Sequence, residues 1–177
     1  MRFSLTENLP SVKHGFEALR LLSKYSKIDR MKYIKRYWQI IFPILIMLLI
    51  WSFSAQNGES SDGISIPLAL KLGLTNGVVR KIAHFIIYAL LGASLANFFR
   101  SIEGKKFPKL RAILLSILIA VIYSCIDEYH QSFIPDRDGN PIDILIDSLG
   151  AMAGISAYVA AYSLYRVKRV KKQHKRH

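Results

Sequence analysis

Residues 110–147 read LRAILLSILIAVIYSCIDEYHQSFIPDRDGNPIDILID. The stretch opens on an apolar run, residues 110–126, and a second run begins at Pro141. The first run approaches the ~20 apolar residues that cross a bilayer's hydrocarbon core. Between the runs, Pro135, Gly139, Asn140 and Pro141 favour a tight, fixed turn. The pattern predicts two membrane helices joined as a hairpin. The turn end of that hairpin carries Asp127, Glu128, Asp136, Asp138, Asp143 and Asp147, half of the 12 acids in a chain of net charge +13.

Apolar blocks recur on either side. The chain has 177 residues, 51% of them hydrophobic, and a mean hydropathy of +0.23. A length of this order fits one domain. The apolar residues come in long runs rather than in the narrow stripes of soluble amphipathic helices. Four spans are expected: Trp38–Phe53, Val79–Phe99, Leu110–Ile126 and Pro141–Tyr165. Pro43 falls in the opening turns of the first, where proline costs least. Backbone polar groups inside a bilayer must be satisfied within the segment, so each span reads as a helix. The expected fold is all-α, a polytopic four-helix membrane bundle.

The basic residues set the expected orientation. Most of the 25 lysines and arginines lie in residues 1–36, in the loop between the second and third spans, and in the tail from Arg166. Four spans put these segments on one side, which the positive-inside rule makes cytoplasmic, with both termini. The other side holds eight acids, Glu59, Asp62 and the six of the hairpin. The organisation expected is a basic cytoplasmic leader (residues 1–36), a membrane domain (37–165) and a basic cytoplasmic tail (166–177). The leader reads either as a helix lying on the inner membrane surface or as a disordered segment. The first apolar run starts only near Tyr37, too late for a secretory signal, so that run is expected to be retained. The basic segments fit anionic lipid headgroups, and no nucleic-acid partner is expected. The single cysteine, Cys125, is expected to be a small packing residue.

Ionisable groups inside spans are expensive and mark functional sites by default. Arg80, His84 and Tyr88 recur at intervals of four, one stripe of a helix. Arg80 and Lys81 also fit as interfacial cations, and His84 lies about a turn deeper. Ser124, Asp127 or Glu128, and Gln131 share a face if the third helix continues past Ile126. Carboxylates at a helix C-terminus oppose the macrodipole, so partners are expected among Arg80, Lys81 and Arg137. Asp143 fits a helix-start charge behind Pro141, whereas Asp147 lies deeper, just before the close-packing pattern of Gly150 and Gly154. Residues 51–61, WSFSAQNGESS, read as a loop.

Three motifs in order, FSAQNGESS, RKIAHFIIYALLG and DEYHQSFIPDRDGNPIDILIDSLGAMAG, resemble the VanZ-like membrane protein family. The matching positions are Ser52, Ser54 and Gln56; Arg80, Lys81, His84, Phe85, Tyr88 and Gly92; Asp127, Glu128, Gln131, Phe133, Pro135 and Arg137; and Asp143, Asp147 and Gly150. The resemblance implies a bacterial multi-pass protein of the cell envelope, in a family whose namesake lowers sensitivity to teicoplanin-type antibiotics. It supplies no reaction.

Four function classes are open to these residues. One is an enzyme acting on a lipid-linked or glycan precursor of the envelope. His84, Asp127, Glu128 and Asp147 would be its catalytic groups. Arg80, Lys81, Tyr88, Gln56, Gln131, Arg137 and Asp143 would bind substrate. The same acids could instead hold a divalent cofactor, Mg²⁺, Mn²⁺ or Ca²⁺. The second class is a binder that captures or shields a cell-wall precursor or a glycopeptide. The third is a structural ion-pair arrangement, and the fourth a transporter, which four spans without an internal repeat support least.

Overall fold

The computed structural model describes residues 37–103, 110–137 and 139–175, together with Glu17 and Ile34. Expectations for the leader, for the loop from 104 to 109 and for Asp138 therefore fall outside the described residues. The chain divides into Met1–Trp38 and Gln39–His177, and the second unit holds the five α-helices described. These are α1 (Ile41–Ser54), α2 (Gly58–Leu72), α3 (Asn76–Glu103), α4 (Leu110–Gln131) and α5 (Pro141–His174), with a 3₁₀ turn at Trp38–Ile40 before α1.

The side-chain distribution is that of a bundle made for lipid. On α4, Leu110, Leu114, Leu118, Ile122 and Ile126 are exposed at four-residue intervals. The opposite face buries Ala112, Ser116, Ala120, Ser124, Asp127, Glu128 and Gln131. A water-soluble helix turns its leucines inward and its charges outward. Cys125 belongs to the outer side and is exposed, which corrects its expected packing role: it falls next to Ile126 on the lipid-facing phase of the helix.

Small residues bring α3 and α5 together, the most extensive helix contact in the bundle. A Cβ on Gly150 would strike the carbonyl of Phe85, one on Gly154 that of Ala89, and one on Gly92 that of Ala151. The pairing of 85 with 150 and 89 with 154 shows that the two helices run parallel. Such close backbone approach gives packing contact where lipid supplies no hydrophobic drive. The α1 and α4 helices run parallel to each other too: Tyr123 Oη donates to the Met47 carbonyl, and Gln131 on α4 reaches Ser54 at the end of α1. The α4–α5 hairpin closes on Asn140, whose side chain accepts from Ile142 N–H, with Pro141 opening α5. Asp136 takes a left-handed φ of 60° in this turn.

Three helices, α3, α4 and α5, are long and apolar enough to cross a membrane; a fourth crossing is formed only if α1 and α2 are counted as one bent span. The expected first span is therefore not a straight crossing. With its 3₁₀ turn, α1 reaches only Ser54, and the chain then bends by 103° into α2. The WSFSAQNGESS segment is not simply a loop: it ends α1, turns over residues 55–57 and starts α2. Asn57 caps that helix by accepting from Ser60 N–H, with Glu59 in the first turn, both favourable at a helix start. Gly73, at φ 66°, ends it in the left-handed conformation glycine adopts without strain. The other helices outrun their expected limits, and the basic tail continues α5 to His174. At ~1.5 Å per residue its 34 residues exceed a ~30 Å hydrocarbon core, so the charged end projects beyond it.

Candidate functional site

At the end of the bundle where α1 and α4 finish and α3 and α5 begin, four ionisable side chains meet. His84 from α3, Asp127 and Glu128 from α4 and Asp147 from α5 each offer one ligand atom within 4.8 Å of the others. Asp127 and Asp147 are fully buried and Glu128 nearly so. The local sequence explains the convergence. Asp127, Glu128 and Gln131 extend the inward face that begins with Ala112. Asp147 precedes Gly150 on the face of α5 drawn against α3, where His84 lies one position before Phe85.

Hydrogen bonds hold one oxygen of Asp127 and of Asp147 and both oxygens of Glu128. Ser124 Oγ donates to Asp147 Oδ2 at 2.8 Å. Gln131 Nε2 donates to Asp127 Oδ2 at 3.1 Å and to Glu128 Oε1 at 3.2 Å, and Tyr88 Oη points at Asp127 Oδ2 from 3.4 Å. The backbone N–H of Asn140 donates to Glu128 Oε2 at 2.9 Å. That bond needs close approach of the turn, and Gly139 provides it: a Cβ there would stand 2.6 Å from the Glu128 carbonyl oxygen. The remaining oxygens of Asp127 and Asp147 are not held by hydrogen bonds. Asp127 Oδ1, Asp147 Oδ1 and His84 Nδ1 are buried without a hydrogen-bond partner, although His84 Nδ1 lies 3.3 Å from Asp147 Oδ1.

The cations are not arranged as expected. Among the described residues no ion pair joins Arg80 or Arg137 to Asp127 or Glu128; the pairs on this side are Lys81 with Asp143 at 3.4 Å and His84 with Asp147. Arg137 instead donates to Gln131 Oε1 at 3.2 Å and to the Phe53 carbonyl at 3.3 Å. It sits on the turn beyond α4 and spans the gap to the end of α1, so Gln131 stands between it and the acids. Burial first, and then the neighbouring Arg80 guanidinium, pull the Arg137 guanidinium below its ordinary pKa.

Two cavities meet this cluster at His84. One, of about 230 Å³, lies between α1, α2 and α3, with an apolar wall of Ile50, Phe53, Leu68, Val79, Ala83 and Ile87 and with Gln56 at its rim. The other, of about 370 Å³, is polar and is lined by Lys81, Gln131, Asp136, Asn140 and Asp143. Arg80, His84 and Arg137 line both. Two guanidinium groups and a histidine thus stand at the seam between an apolar and an ionic compartment.

Of the residues picked from sequence, His84, Asp127, Glu128 and Asp147 form the cluster, and Tyr88 and Gln131 bond into it. Arg80, Lys81, Arg137 and Asp143 line the polar cavity, and Gln56 the apolar one. Phe133 points away, exposed against Tyr129. Sequence reading missed the α2 wall of the apolar cavity and the bond from Asn140 to Glu128. The first had a signal, the Asn57–Glu59 helix start; the second is a backbone contact and leaves none.

Residues 38–164 match the VanZ/LLP1 family. The chain belongs to the VanZ/LLP1 family. The match takes in all four cluster residues and most of the five helices. With its apolar helices, this VanZ/LLP1 member is a multi-pass membrane protein. Comparison with curated proteins and with solved structures gives no match.

Proposed function

We propose that this VanZ/LLP1 member is a cell-membrane enzyme acting on the anionic head of a lipid-linked envelope precursor. The observation that carries the reading is the sharing of Arg80, His84 and Arg137 by an apolar and a polar cavity. An amphipathic substrate has that same division. Its chain fits the wall of Ile50, Leu68 and Ile87, and a phosphate at its head fits the two arginines, whose planar forks match phosphate oxygens. Lys81, Asp143, Gln131 and Asn140 then face the sugar or peptide part of the head. The cluster of His84, Asp127, Glu128 and Asp147 lies beside that phosphate and supplies proton transfer to and from the reacting oxygens. The positions of the basic residues support an orientation with both termini cytoplasmic and the site outward. A change in teicoplanin sensitivity would then follow from altered precursors, in keeping with the resemblance to the family's namesake.

The test is turnover of lipid-linked phosphates and diphosphates by the purified full chain in nanodiscs. Loss of proton transfer is expected to slow His84→Gln and Asp127→Asn by at least ~10²-fold. Equal turnover by all three proteins would exclude the reading. The preformed double cavity also fits a binder that shields its ligand without chemistry. In that case, wild type binds the lipid or labelled teicoplanin without turnover, and His84→Gln binds as wild type does.

A further inference from the structure

We infer that His84, Asp127, Glu128 and Asp147 form a binding site for one divalent transition-metal ion, Zn²⁺ or Mn²⁺. The first ground is geometry. One nitrogen and three carboxylate oxygens from three helices lie within 4.8 Å of one another. Ligand atoms around a four-coordinate ion at ~2.0–2.2 Å stand roughly 3.3–3.6 Å apart, so closing the shell takes side-chain shifts of up to about 1 Å. The second ground is independent of the clustering. Asp127 Oδ1 and Asp147 Oδ1, on side chains with 0% exposure, have no hydrogen-bond partner. Buried carboxylate oxygens are ordinarily paired; among the described residues Asp127 Oδ1 has no hydrogen bond or ion pair and Asp147 Oδ1 has only its 3.3 Å contact with His84 Nδ1, while their other oxygens are held by Ser124, Gln131 and Tyr88.

Charge points the same way. Three carboxylates face a single histidine, while Arg137 is turned to Gln131 and Lys81 to Asp143. An uncompensated buried carboxylate costs several kcal/mol, and a divalent ion offsets that cost for two at once. The ligand set selects among ions. Mg²⁺ and Ca²⁺ take oxygen shells, whereas an imidazole nitrogen with carboxylates suits Zn²⁺ or Mn²⁺. Ser124 and the Asn140 N–H supply the outer hydrogen bonds that orient ligating carboxylates. The inference deepens the proposed function and rests on the same cluster. His84 and the three carboxylates would hold the ion, which when bound would supply Lewis-acid activation of water beside His84.

The experiment uses no lipid substrate, so its outcome is separate from that of the turnover test. Chelator-stripped full chain in zwitterionic nanodiscs is titrated with Mn²⁺, and free ion is read by electron paramagnetic resonance. One ion per chain is expected, displaced by Zn²⁺, with a ¹⁴N imidazole coupling that His84→Gln abolishes. Asp127→Asn and Asp147→Asn are expected to weaken binding by at least ~10-fold, and Ser124→Ala by about 10-fold through the lost outer bond. Glu59→Gln, at the start of α2 and outside both cavities, binds as wild type does. Should the carboxylate variants not fold, the ¹⁴N coupling in wild type and the Ser124→Ala shift decide. Absence of saturable binding by folded wild type would overturn the inference. So would binding without ¹⁴N coupling, or binding that Ser124→Ala leaves unchanged.

Discussion

Gln131 shows how much of the site depends on one neutral side chain. Its amide nitrogen donates to Asp127 and Glu128, and its oxygen accepts from Arg137. It therefore satisfies two acids and one cation that make no direct pair. Gln131→Met keeps the length and removes these three bonds and the one to Ser54, leaving Asp127, Glu128 and Arg137 each one partner short, with Tyr88, the Asn140 N–H and the Phe53 carbonyl still in place. Each such group costs about 1–3 kcal/mol, so the expected result is a clear fall in the thermal unfolding midpoint of the detergent-solubilised protein. An unchanged midpoint would mean that water replaces the amide and that the network is not closed. The acids and His84 were legible in sequence because an ionisable group in an apolar run has few structural reasons to be there. The pairing was not. Arg80, Lys81 and Arg137 line one cavity with Asp143, but only the fold decides that Arg137 turns to α1 while Lys81 takes Asp143.

Among the helices, glycine has opposite meanings at two positions. Gly154 on α5 rests on the Ala89 carbonyl of α3, so even Gly154→Ala forces backbone apart. Overpacking of this kind costs about 1–3 kcal/mol, and because α3 and α5 carry His84 and Asp147, their separation also opens the cluster. At Gly63 in α2, nothing lies within 4 Å of the place a methyl group would take, so Gly63→Ala gains helix propensity without a clash. It is expected to stabilise by up to about 1 kcal/mol. Thermal unfolding of the two variants should move in opposite directions; a shared sign would contradict the packing described for α3 and α5. The small-residue pattern at Gly150 and Gly154 was readable because membrane helices that approach closely need it. The phase of Cys125 was not, since a free cysteine is small and apolar enough to sit on either face of a membrane helix. The α2 helix was hidden for a related reason: serines and glycines at its start read as turn residues unless the Asn57 cap is recognised.

At the scale of the membrane domain, helix direction decides which groups share an end of the bundle. The parallel pairs α1 with α4 and α3 with α5 put the start of α1 and the far end of α5 at the same end of the bundle. The carboxylate cluster and both cavities lie at the other end. Four apolar runs were enough to read this bundle in sequence, although the bend after α1 was not, because a break of three residues leaves the hydropathy of the flanking runs unchanged. Among the described residues, Arg100, Arg111 and the basic stretch from Arg166 to Lys175 lie toward the first end, and the proposed orientation, with the cluster outward, rests on the positive-inside rule. The functional reading depends on that orientation, since a precursor carried on the outer leaflet can reach only an outward site. Cysteine labelling tests it directly. In a Cys125→Ser background, Asp136→Cys on the α4–α5 turn is expected to react with a membrane-impermeant maleimide in intact cells. Lys175→Cys at the end of α5 is expected to react only after permeabilisation. The reverse pattern would place the cavities on the cytoplasmic side. The cation site would keep its geometry in that case, but the substrate would have to be sought among lipids of the inner leaflet.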